Sequence, residues 1–238
     1  DALPILSANS LTLSTDSNLA LNAALTGSGT LTITPTGNTT MGIGTGQTGT
    51  LQLSDTELNN ITDGWGNIVL GSTASTAAVN VGARTWNDNL TLYSGTGQMT
   101  IAANQNMGAN NLTMQTNSNL AINGNLAGTG ILTVRGASNA LTMSLGTGQT
   151  GTLNLDDNEI LRLTDGWSRI DFGHTASTGT LNIGAATWSD PIRFITNTGI
   201  ITVNGIQNFG ANNVEISTSA DPTFNAALNG TGTLTISG

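Results

Sequence analysis

The sequence predicts an all-β chain wound as a parallel β-solenoid. Three observations carry that expectation: a long internal repeat, a short alternating strand motif inside each repeat, and an aromatic content of only 4% in 238 residues, thin for a sandwich core.

The repeat comes first. GTGQTGTLQLSDTELNNITDGWGNIVLG begins at Gly44, and its counterpart GTGQTGTLNLDDNEILRLTDGWSRIDFG begins at Gly146, an offset of 102 residues. The same offset carries Trp65 to Trp167, Trp86 to Trp188, Asp88 to Asp190 and Gln105 to Gln207. Residues from Leu11 onward align with those from Leu112 at an offset of 101, so the register changes by one between Ile33 and Gly44. The expected division is 1–43 as the end of one repeat, 44–145 as a full repeat and 146–238 as a second, incomplete one. Together they form one continuous solenoid, read as an excerpt of a longer protein.

Within each repeat, apolar and polar residues alternate in short runs that end at Gly, Asn or Ser. Examples are TLTIT at Thr30, TLQLS at Thr50, NLTLY at Asn89, NLTMQ at Asn111 and TLNIG at Thr180. Such alternation buries one face of a strand and wets the other. A tandem β-sandwich is the alternative, since an immunoglobulin-like domain has about this repeat length. The solenoid is preferred because the strands resemble one another, as stacked rungs do, and because neither a Cys…Trp…Cys pattern nor a Pro-containing linker separates the units. At roughly 20 residues per coil, each repeat is expected to make about five coils and to add about 24 Å of rod.

One element breaks the strand rhythm. Ser54-Asp55-Thr56-Glu57 has the capping-box pattern, with Leu58 and Ile61 following and Asp63-Gly64 closing it. Asp156 to Glu159, then Leu163 and Asp165-Gly166, repeat the plan. These segments predict a protruding turn or two of helix, with Trp65 and Trp167 packing where the chain rejoins the sheet.

Composition removes several functions. Charged residues make up 8% of the chain, Lys is absent and the net charge is −9. A nucleic-acid partner needs clustered Lys and Arg, and so does a polybasic membrane contact. The chain has no cysteine, which excludes disulfide staples and thiolate metal sites. No stretch is long and apolar enough to span a bilayer. Any export signal is expected to have been removed or to lie outside this piece.

The TLQLSDTELNNITDGWGNIVLG segment and its second copy, then IGAATWSDPI at Ile183 and TGIITVNG at Thr198, resemble repeats of filamentous-haemagglutinin-family exoproteins. The resemblance covers nearly the whole chain and is most specific at the Asp-Gly-Trp segments. It implies a right-handed β-helix, export by two-partner secretion, an extracellular or bacterial cell-surface location, and a stalk role in an adhesin. The family's secretion-signal domain has no counterpart here. Gly64, Trp65, Trp86, Gly166, Trp167 and Trp188 serve as structural markers of the repeat.

Several residue groups match site motifs, and each has a simpler reading. Gly44-Thr-Gly46-Gln-Thr-Gly49 and Gly146-Thr-Gly148-Gln-Thr-Gly151 match GxGxxG, but a dinucleotide site needs a helix to follow and here a strand does. Turn glycines explain the pattern better, and no cofactor is expected. Asp55, Glu57, Asp63, Asp157, Glu159 and Asp165 are the weak calcium candidates. Calcium asks for six to eight oxygens, and helix capping accounts for most of these side chains. A carboxylate pair raises polysaccharide cleavage, yet an active site copied every repeat would be unusual. The lone His174 aligns with Ser72, so nucleophilic triads find no support and no enzyme is expected. Thr-x-Thr runs raise ice binding, interrupted at Gln52, Asn80, Asn154 and Asn182. Sequons at Asn38, Asn89, Asn111 and Asn229 are better read as parts of stacked amide ladders. The expectation is a structural stalk or filament segment with two kinds of partner: copies of itself stacked end to end, and glycans or proteins of a host or neighbouring cell. A carbohydrate-binding or polysaccharide-cleaving β-helix and an ice-binding solenoid are the alternatives.

Overall fold

In the strand Thr30–Thr34, Leu31 and Ile33 are fully buried while Thr30, Thr32 and Thr34 line the surface. That two-residue period recurs along a computed structural model that describes residues 8–238. Every strand pairing in it is parallel. The first face is a ten-stranded sheet from Leu11–Ser14 to Leu234–Ser237. Its inward positions stack in register. One column runs Leu31, Ile68, Leu90, Leu112, Leu132, Ile170, Ile192 and Val214. A second runs Ile33, Leu70, Leu92, Met114, Val134, Phe172, Phe194 and Ile216, all buried. The chain is therefore a β-solenoid, as its alternation and repetition predict.

Two further faces complete each coil. The second holds three-residue strands such as Val79–Val81, Met99–Ile101 and Leu120–Ile122. The third is narrower and carries Arg84–Thr85, Gln105–Asn106 and Leu126–Ala127, then Ala186–Thr187, Gln207–Asn208 and Leu228–Asn229.

Coil length departs from the expectation. Successive partners on the first face, such as Leu11 with Leu31 and Ile68 with Leu90, lie 20 to 22 residues apart. Leu31 with Ile68 and Leu132 with Ile170 lie 37 and 38 apart. A repeat thus makes four rungs on this face rather than five coils, or about 19 Å at 4.8 Å per rung. The long coil absorbs the difference. After Met41–Ile43 the chain turns back and lays Leu51–Leu53 parallel beside it, pairing Met41 with Leu51 only ten residues on. A short helix, Asp55–Asn60, follows. The second repeat does the same with Met143–Leu145, Leu153–Leu155 and the helix Asp157–Ile160. The second face therefore carries five strands per repeat where the first carries four. Leu120–Ile122 and Leu153–Leu155 meet at the seam between repeats without a ladder. There the Ile122 N–H donates instead to Glu159 Oε1, 3.0 Å away.

Both helices have the predicted capping box. Ser54 and Asp156 are the N-caps, and Glu57 and Glu159 reach back to them. Asparagine does line the corners, in two ways. Asn225 and Asn229 donate their amides to Asn204 and Asn208 one coil below. Asn89 and Asn111 instead offer Oδ1 to the backbone N–H of Asn111 and Ile131 on the next coil. The first is the stacked amide ladder expected; the second, from side chain to backbone, satisfies corner N–H groups that the sheet ladders leave unpaired.

Candidate functional site

The charged residues of the two helices are occupied locally. Glu57 Oε2 accepts the Ser54 N–H at 2.9 Å, and the Ser54 hydroxyl holds its carboxyl below the usual range. Asp55 accepts the Thr45 hydroxyl and lies 4.0 Å from Arg84. Asp157 Oδ1 accepts the Thr147 N–H at 2.8 Å. Glu159 accepts from Asp156 and Ile122, and its burial pushes its carboxyl up. Among the described residues no three His, Cys, Asp or Glu side chains converge on a metal position. Of the four acids on the helices, Glu57 and Glu159 cap, Glu159 also ends the Ile122 ladder, and Asp55 and Asp157 hold the preceding turn at Thr45 and Thr147.

Asp63 and Asp165 behave differently. Each is exposed at the Asp-Gly-Trp turn, where Gly64 and Gly166 take φ of 119° and 129°. Across that turn stands an aspartate from the next coil, Asp88 or Asp190. Asp88 is 6% exposed and Asp190 2%. Asp88 Oδ1 accepts the Gly64 N–H at 2.9 Å, and Asp190 Oδ1 accepts that of Gly166 at 2.8 Å. Burial pushes both carboxyls up, with Asp63 and Asp165 as the nearby like charges. The Oδ2 atom of Asp190 is buried without a hydrogen-bond partner. The equivalence of Asp88 and Asp190 is visible in the sequence, but nothing there places either one against the Asp-Gly-Trp turn 25 residues earlier.

The repeat tryptophans are buried and fixed. The Trp65 and Trp167 indole N–H groups donate to the carbonyls of Leu25 and Leu126 on the preceding coil, where the long coil rejoins the sheet as predicted. Trp86 and Trp188 donate to Gln105 and Gln207 at 2.9 Å. Those glutamines return their amides to Gly82 and Ala103, and to Gly184 and Gly205. This buried clamp is unremarked in the sequence because Gln is ordinarily a surface residue.

Between the two helices the third face forms a trough of about 560 Å³, floored by Thr85, Asn104, Asn106 and Asn125 and edged by Arg84. Arg84 lies over the Trp86 ring at 5.3 Å and donates to the Leu58 carbonyl. The equivalent niche above the second helix holds about 380 Å³ and is apolar, with Leu161 75% and Ile206 52% exposed beside Ala186.

The remaining candidates resolve simply. Gly44, Gly46, Gly146 and Gly148 all have φ between 73° and 84° in the turn that precedes Leu51–Leu53 or Leu153–Leu155. They are turn glycines. His174 accepts the Ala176 N–H on Nδ1, and burial followed by the Arg135 charge holds its pKa down. Outward threonines form a single file, Thr12, Thr32, Thr91, Thr113 and Thr133, broken by Val69 and ending at Asp171. Asp171 accepts from Arg169 at 2.6 Å and from Arg193 at 3.0 Å. Among the described residues no helix is long and apolar enough to cross a membrane. No protein-family model, curated protein or solved structure matches this chain.

Proposed function

We propose that this chain is a length of stalk in a secreted or cell-surface bacterial adhesin of the filamentous-haemagglutinin kind. The observation that carries the reading is the unbroken parallel register of the first face from Leu11 to Ser237. Each coil rests only on its neighbours, so length grows without a larger core.

Small-angle scattering on chains of one, two and four repeats tests the reading. A constant thin cross-section with length growing by roughly 20 Å per repeat supports it. Steps of about 30 Å or more, as from compact 100-residue beads, sink it.

A second reading rests on the trough over Thr85, Asn104, Asn106 and Asn125. Its neutral amides and hydroxyl suit the hydroxyls of a neutral glycan. Glycan-array binding that is lost in Asn106→Ala and Asn125→Ala would move the adhesive function into this segment.

A further inference from the structure

The paired aspartates at the Asp-Gly-Trp turns are left without a role by the stalk reading. Two carboxyls brought together at low dielectric repel unless something neutralises them. In the first repeat Asp63 is the like charge nearest the buried Asp88 across the turn. In the second, Asp190 is 2% exposed and its Oδ2 has no partner, while Asp165 stands beside it at the surface. A buried carboxylate oxygen without a donor calls for an ion or a proton. Oδ1 of each buried aspartate accepts the Gly64 or Gly166 amide, and of the two it is Asp190 whose Oδ2 is left without a donor.

We propose that each 102-residue repeat carries one divalent-cation site, formed by Asp63 with Asp88 and by Asp165 with Asp190. Calcium is the ion of choice, since it accepts mixed carboxylate, carbonyl and water oxygens in flexible geometry. One buried and one exposed carboxylate leave the outer coordination positions to water. A site with only two carboxylates belongs in the weak class, about 0.1–1 mM. The ion ties the end of the long coil, at Asp63 or Asp165, to the coil that follows it. It therefore closes the one stretch of each repeat where the chain leaves the regular rung.

The test uses the whole chain. Thermal unfolding is followed in 10 mM calcium chloride and in sodium chloride of equal ionic strength, and isothermal titration gives the stoichiometry. The expected result is a saturable rise in Tm of about 5 °C or more, with two ions per chain. Asp165→Asn, at an exposed position, should halve the stoichiometry. Asp63→Asn with Asp165→Asn should abolish both the heat and the calcium-dependent rise. The proposal is overturned if calcium produces no saturable rise. It is equally overturned if the double variant keeps the rise, or if acidification stabilises the chain while calcium does nothing, since a shared proton then fills the place.

Discussion

Replacing Phe172 with alanine removes one of the two largest side chains in an inner column of the first face. Phe172 is fully buried, stacked in register between Val134 below and Phe194 above. Its ring lies 5.4 Å from Trp188 and 6.0 Å from Phe194, and those two rings are 5.9 Å apart. A buried Phe→Ala change costs about 3–5 kcal/mol, part of it for the cavity left behind. The first repeat supplies its own control, because Leu70 occupies the equivalent place between Ile33 and Leu92. Phe172→Leu should therefore cost only about 1–2 kcal/mol, mostly the lost ring contacts. In a solenoid the damage should also stay local. Hydrogen exchange should quicken at the Ile131–Gly136, Arg169–Gly173 and Ile192–Ile195 rungs and leave Thr30–Thr34 and Asn67–Ser72 nearly unchanged. Urea unfolding gives the energies and exchange mass spectrometry gives the location. An alanine cost below about 1 kcal/mol, or equal costs for alanine and leucine, would refute the packing argument. Exchange that quickens evenly along the whole chain would refute the nearest-neighbour argument.

Further outcomes follow from the polar groups. Gln207→Leu strands the buried Trp188 indole N–H, so it should cost about 1–3 kcal/mol in urea unfolding and red-shift tryptophan emission if water enters. Asp171→Ala leaves Arg169 and Arg193 unpaired, but both are partly exposed, so chemical denaturation should register a loss of only about 1 kcal/mol. Replacing the whole network with its first-repeat counterparts, as Arg169→Asn, Asp171→Val and Arg193→Thr, should fall within about 1 kcal/mol of the parent. The pH dependence has a definite sign. Burial raises the Asp88, Asp190 and Glu159 carboxyls above their unfolded values near 4. The native state then holds the extra protons, and their stabilisation is full below about pH 4 and lost as pH rises through the raised values. Melts in metal-free buffer should thus give a Tm that rises as pH is lowered from 7 toward about 4, and Asp190→Asn should flatten that slope. Asp16 and Glu57, held low by the Thr36 and Ser54 hydroxyls, act the opposite way only when pH drops below about 4.

Much of this architecture is legible before any coordinates. Leu31, Ile33, Leu112 and Met114 announce their inward face by alternation, and Ser54 with Glu57 announces a helix start by chemistry. What escapes is long-range. TLQLS at Thr50 reads as an ordinary rung, because its alternation is the same whether the chain goes forward a coil or doubles back beside Met41–Ile43. Alternation fixes which side chains go inward and says nothing about which strand lies alongside. The Asp88 and Asp190 pairings escape for the same reason. Their partners are set by coil lengths of 37 or 38 against 22 residues, and those lengths depend on the doubling back.

The extra strand on the second face has a consequence at the scale of many repeats. Five strands at about 4.8 Å need one more rung of height than the four strands opposite them. With the faces roughly 10 Å apart, that surplus turns the axis by roughly 25° per repeat if it is taken up wholly as curvature. Strand twist carries the bend out of plane. Taken up that way, a long array of such units would form a shallow coil spring with the doubled strands on its outer rim. It can lengthen under tension by straightening, before any rung has to break.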